Sequence, residues 1–116
     1  MTVVLLFSQA CVKTEYVKPE PQLLFTVVSG NMIFVEGATV SLYETQNDWE
    51  SGINVVDSLQ TDSTGQALFE DLKEQRYFFS VVKGELNNLA DIQATWDSLR
   101  VGQRSEVLVK IMKSDL

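Results

Sequence analysis

The stretch Asp57–Gly84, DSLQTDSTGQALFEDLKEQRYFFSVVKG, constrains the fold more than any other part of the chain. Asp62-Ser63-Thr64-Gly65 is a turn signal. Asp62 can accept hydrogen bonds from the backbone that follows it, and Gly65 can take positive φ without steric cost. Before the turn, the apolar pattern is mixed. After it, Ala67 and Phe69 alternate with Leu68 and Glu70, and Tyr77, Phe79 and Val81 alternate with Phe78, Ser80 and Val82. One row of such a pair fills a core and the other covers a sheet face. The segment therefore reads as strand, turn, strand, short link, strand, with Leu72 in the link expected to plug the core.

The rest of the chain fits around this unit. Leu23–Ser29 (LLFTVVS) is a first strand, followed by a turn signal at Gly30-Asn31 and an apolar link, Met32–Val35, to a second turn at Glu36-Gly37. Ala38–Glu44 alternates cleanly and directs Ala38, Val40 and Leu42 inward. Thr45–Asn54 is polar and reads as a surface loop carrying Trp49, and Val55–Thr61 as the strand after it. Beyond the turn at Gly84–Asn88, residues 89–100 place Leu89, Ile92, Trp96 and Leu99 at steps of three and four, which allows one short helix with Trp96 buried on it. Arg104–Met112 closes the chain with Val107, Val109 and Ile111 inward. Seven short strands in 116 residues, 45% of them apolar, predict an all-β sandwich with a single core.

Composition then narrows the function. The formal charge is −7, and the nine Lys and Arg are scattered without a basic stripe, which argues against a nucleic-acid partner. There is no histidine, so Ser-His and Cys-His catalytic pairs and His-based metal sites are absent. The single cysteine, Cys11, permits neither an intrachain disulfide nor a multi-cysteine zinc site. No cofactor or metal is implied, and the expectation is a protein without enzymatic activity.

The opening, MTVVLLFSQAC, holds an apolar run over Val3–Phe7 that is too short to span a bilayer. It resembles the end of a secretory signal, and Ala10-Cys11 resembles the lipobox of bacterial lipoproteins, in which the cysteine carries lipid. Residues 12–22 then read as a polar tether kept extended by Pro19 and Pro21. The expected organisation is a signal remnant with its lipid-attachment cysteine over 1–11, a tether over 12–22 and a domain over 23–113.

Three pieces carry a second resemblance. Gly37-Ala38-Thr39-Val40-Ser41-Leu42 resembles the GAxVxL strand of prealbumin-like sandwiches. Thr61–Phe69 resembles their TDxxGxxxF hairpin, and Leu72 followed by Tyr77 resembles the step that opens their next strand. Together they resemble the transthyretin-like superfamily, with its carboxypeptidase regulatory-like and Cna-B-like domains. The resemblance implies a seven-stranded Greek-key β-sandwich in which Gly37, Asp62, Gly65, Phe69 and Tyr77 fix turns and core. The hydroxyisourate hydrolases of that superfamily depend on histidines, which this chain lacks. Cna-B-like stalks can carry a Lys–Asn crosslink, but residues 23–29 hold no lysine and residues 106–112 no asparagine.

The function expected is a non-catalytic lipoprotein module of the cell envelope, at the outer membrane of a Gram-negative bacterium, acting in protein–protein contact or surface assembly. Periplasmic or secreted localisation is the alternative. The rival function is carbohydrate or small-ligand binding through loop residues, with Trp49, Asp48, Glu50, Asn87 and Asn88 as candidates, because exposed aromatics and flanking polar groups make contact platforms. A hydrolase using paired carboxylates is a minor third.

Overall fold

The computed structural model describes residues 20–113. Seven strands follow one another: β1 (Gln22–Ser29), β2 (Thr39–Tyr43), β3 (Asp57–Gln60), β4 (Gln66–Phe69), β5 (Phe78–Lys83), β6 (Leu86–Asn87) and β7 (Arg104–Lys113). One helix, α1 (Gln46–Ser51), lies between β2 and β3. The strands run in the order β3-β2-β5-β6-β7-β1-β4. The long β7 pairs with β1 over Arg104–Ile111 and with β6 at Met112 and Lys113, so it carries the chain from one layer of the sandwich to the other. β1 and β7 are parallel, and the other pairings are antiparallel.

Period-two patterning fills the core as the residues dictate. Leu23, Phe25 and Val27 of β1, Val40 and Leu42 of β2, Ala67 and Phe69 of β4, Phe79 and Val81 of β5, and Val109 and Ile111 of β7 are buried, with Val107 packed at the margin. Ala38, Leu72, Tyr77 and Leu99 complete the cluster. Phe25 stands at its centre, edge-on to Phe69 at 5.6 Å and to Phe79 at 4.9 Å between ring centroids. Burying each such ring contributes about 1.5–3 kcal/mol, and the edge geometry adds about 0.5–1.5 kcal/mol per pair.

The helical content differs from the sequence reading in two places. The helix is at Gln46–Ser51, inside the stretch expected as a loop, and residues 89–100 contain none. Local chemistry explains the first. Thr45 is extended (φ −134°, ψ 156°) and its Oγ1 accepts the Asp48 N–H at 3.0 Å. Gln46 Nε2 donates to Glu50 Oε2 one turn on, and Gly52 ends the helix in the left-handed region at φ 67°. Tertiary pairing explains the second, because the backbone of 88–95 is spent on the edge of β5. Phe79 N–H donates to Gln93 O at 3.0 Å, and Thr95 N–H donates to Tyr77 O at 2.8 Å. The link Met32–Val35 forms no strand and meets β1 at an isolated antiparallel bridge, Val28 to Phe34, while β6 arises in the segment read as a turn.

Candidate functional site

Asp48, Trp49 and Glu50 are brought together on α1, which packs against β2 and β5. Trp49 is half-buried, and its indole N–H donates to the Phe79 carbonyl at 2.8 Å. Asp48 Oδ1 accepts from Asn54 Nδ2 at 3.2 Å, and the Glu50 carboxylate is held by Gln46. Of these polar groups the Trp49 indole ties the helix to the sheet, while the Asp48 and Glu50 carboxylates bond within the helix and the turn after it.

Asn87 and Asn88 meet the same strand nearby. Asn88 is buried; its N–H donates to Val81 O at 3.2 Å and its Oδ1 accepts the Val81 N–H at 2.8 Å. Its amide Nδ2 donates to Gln93 Oε1. One asparagine therefore satisfies both backbone groups of Val81, as a neighbouring strand would. Thr95 does the same for Tyr77: its N–H donates to Tyr77 O, and its Oγ1 accepts the Tyr77 N–H at 3.1 Å. These bonds close an edge that would otherwise invite another chain. Asn87 Oδ1 accepts the Leu89 N–H within the turn.

The turn residues frame the opposite end. Asp62 Oδ1 accepts from Thr64 Oγ1 at 2.7 Å, Thr64 N at 2.9 Å and Gln66 N at 3.0 Å. Those bonds, the Thr64 hydroxyl first, hold its carboxyl below the usual aspartate value. Gly65 has φ +74°, and a Cβ there would sit 2.6 Å from Val27 O and 3.3 Å from Phe34 Cβ. Gly37 has φ +79°; its N–H donates to Thr61 O, while the buried Thr61 hydroxyl accepts from Ala38 N and donates to Val35 O at 2.6 Å. Phe69 and Tyr77 are in the core, and Tyr77 Oη accepts the Lys73 N–H at 2.9 Å. Cys11 lies outside the described residues.

Two surface features lie outside the residues expected as binding candidates. The first is the loop after β1. Met32, Ile33 and Phe34 are all exposed, Phe34 by 59%. Backbone bonds fix the loop: Met32 N–H to Ser29 O, Ser29 N–H to Ile33 O and Val35 N–H to Val27 O, all at 2.9–3.0 Å. Ser29 Oγ accepts from the N–H groups of Asn31 and Ile33 as well. The run of three apolar residues beside Gly30-Asn31 was the available signal.

The second feature is at the other end of β1 and reverses an expectation. Trp96, read as buried on helical spacing, is 98% exposed. It flanks a cleft of about 250 Å³ between residues 95–100 and 103–107. Thr95 is tied to Tyr77, Leu99 N–H donates to Gln75 O, and Val101 N–H donates to Glu74 Oε2, so the backbone on both sides of Trp96 is fixed. Leu99 alone of the spaced apolar set is buried; Leu89 and Ile92 are exposed.

No known family profile matches the chain, and no curated protein sequence matches it. Solved structures do resemble the fold. A group B streptococcus pilus 2b backbone protein superposes with a TM-score of 0.61 at 16% identity, over 83% of this chain and 42% of that one. A minor pilin of Streptococcus agalactiae gives 0.59 at 15% identity, over 86% of this chain and 47% of that one. The Bacillus anthracis TIE protein gives 0.61 at 11% identity, over 82% of this chain and 17% of that one. The chain spans less than half the length of each, and the likeness is one of fold: a β-sandwich of the kind found in pilin domains.

Proposed function

We propose that this chain is a non-catalytic module of the cell surface that works through protein–protein contact in an assembled structure. The observation that carries the reading is the Met32–Phe34 loop, an apolar tip that a frame of backbone hydrogen bonds keeps from folding inward. A fully covered Ile or Phe contributes about 1.5–3 kcal/mol relative to an exposed one, so a partner that covers this tip gains part of that. Apolar patches held open in this way mark contact surfaces. The sandwich shared with a pilus backbone protein and a minor pilin supports the same reading, since those proteins are named for their place in surface fibres.

The finer proposal is that lipid on Cys11 anchors the module at the envelope, at the outer membrane of a Gram-negative cell, with 12–22 as tether and 23–113 as domain. β1 starts at Gln22 and runs about 23 Å, at ~3.3 Å per residue, toward Met32. A tether entering at Gln22 therefore leaves the apolar tip at the far end, pointing away from the membrane. A photocrosslinking residue at position 34 of the full chain, expressed in its own cells, should give a discrete protein adduct. The same residue at Glu50, on α1, should give none. Equal labelling at both positions, or none at 34, refutes assembly through the tip. Mass spectrometry of the membrane fraction checks acylation at Cys11.

A further inference from the structure

We infer that the cleft beside Trp96 is a carbohydrate-binding subsite, in which the indole stacks on one sugar ring and the side chains around it bond the ring's hydroxyls. This is a separate site from the apolar tip and does not depend on the assembly reading. The exposure of Trp96 is built in, because Thr95 on one side and Leu99 on the other are pinned to the strand and link below. An aromatic ring that is 98% exposed between two fixed, buried neighbours cannot collapse onto the core. It offers a free π face, which attracts the weakly positive C–H groups of a pyranose.

The lining decides the class of ligand. Ser98, Arg100, Gln103, Ser105 and Glu106 border the cleft, and among the described residues their side chains make no hydrogen bond to the protein. A guanidinium, an amide and a carboxylate can each bond adjacent hydroxyls in pairs. The cleft carries one guanidinium, Arg100, and two carboxylates, Asp97 and Glu106, a net negative lining that disfavours an anionic ligand. An apolar ligand would leave these groups unpaired. The volume of about 250 Å³ is below the ~300–1,000 Å³ typical of sites that enclose a drug-sized molecule. It suits one ring of a longer glycan laid across the surface. The neighbours of Trp96 in sequence, Thr95, Asp97 and Ser98, are polar.

The test is a titration of the isotopically labelled full chain with gluco- and N-acetylgluco-oligosaccharides of one to six rings, followed by NMR. Expected are shifts of the Trp96 indole N–H and of the Ser98, Gln103 and Ser105 amides, while the Trp49 indole N–H, bonded to Phe79 O, stays put. Trp96→Ala should weaken binding at least tenfold and Trp96→Phe less. Gln103→Ala and Trp49→Phe separate the lining from the other indole, and only the first should weaken binding. The fold should persist, because position 96 buries nothing; an unchanged amide spectrum outside 95–107 checks this. No shift with any sugar overturns the inference, as does binding that Trp96→Ala leaves intact. Broadening of Trp96 with protein concentration alone, without a response to sugar, assigns the ring to protein contact and also overturns it.

Discussion

Replacing Gly65 by alanine tests how the central turn holds the apolar tip. Gly65 has φ +74°, where an L-residue costs about 1–2 kcal/mol, partly offset by about 0.4–1 kcal/mol from the stiffer unfolded chain. Gly52 has φ +67° with nothing within 4 Å of its would-be Cβ, so Gly52→Ala should lose only this backbone component, about 1 kcal/mol. At Gly65 the new methyl would lie 2.6 Å from Val27 O, a backbone atom that already accepts the Val35 N–H at 3.0 Å. Gly65 O itself accepts the Val27 N–H at 2.7 Å. The turn and β1 must separate, and weakening those two bonds adds about 1 kcal/mol each. Gly65→Ala should therefore cost about 2.5–4 kcal/mol, measured by urea unfolding with the slope unchanged. It should also shift the amides of Ile33–Val35, whereas Gly52→Ala should not. Equal losses for the two variants, within about 0.5 kcal/mol, would show that the close approach is absent and only the dihedral matters.

Asn88→Ala leaves the buried Val81 N–H without its acceptor and should cost about 1–3 kcal/mol in urea unfolding, with faster amide exchange at Val81. Tyr77→Phe removes only the acceptor of the Lys73 N–H and should cost about 1 kcal/mol, with loosening confined to the 70–76 link. Asp62 has its carboxyl lowered by the bonds from Thr64 and Gln66, so its stabilising share is complete above its ordinary value of 3.8 and is lost as pH falls through the lower folded value. The stability advantage of the native chain over Asp62→Asn should hold at neutral pH and shrink in acid; an advantage that is flat with pH contradicts this. Trp49→Phe deletes the indole donor to Phe79 O and should cost about 1 kcal/mol while freeing α1 to exchange faster.

The inward rows of Val40, Phe69, Phe79 and Val109 could be read from alternation because a strand's faces are set by its own backbone, residue by residue, whereas the nearly continuous apolar run of β1 left its inward face open. The same holds for the Asp62–Gly65 turn, whose bonds span only a few residues. The fates of Thr45–Gly52 and 88–100 could not be read so easily. The helix there is six residues long, and its capping residues look the same as those of a polar loop. Leu89, Ile92, Trp96 and Leu99 fit helical steps, yet the unpaired N–H and C=O groups of Tyr77, Phe79 and Val81 drew that segment into extended bonding instead. Those groups were unpaired only because β6 is two residues long and leaves most of β5 uncovered, and strand order sets that. The sequence by itself determined the inward alternation of its clean strands and the central turn, which depend on near neighbours. Tertiary structure alone decided that Trp96 faces water over a cleft and that Met32–Phe34 form a tip, because both depend on which distant backbone groups were left needing partners.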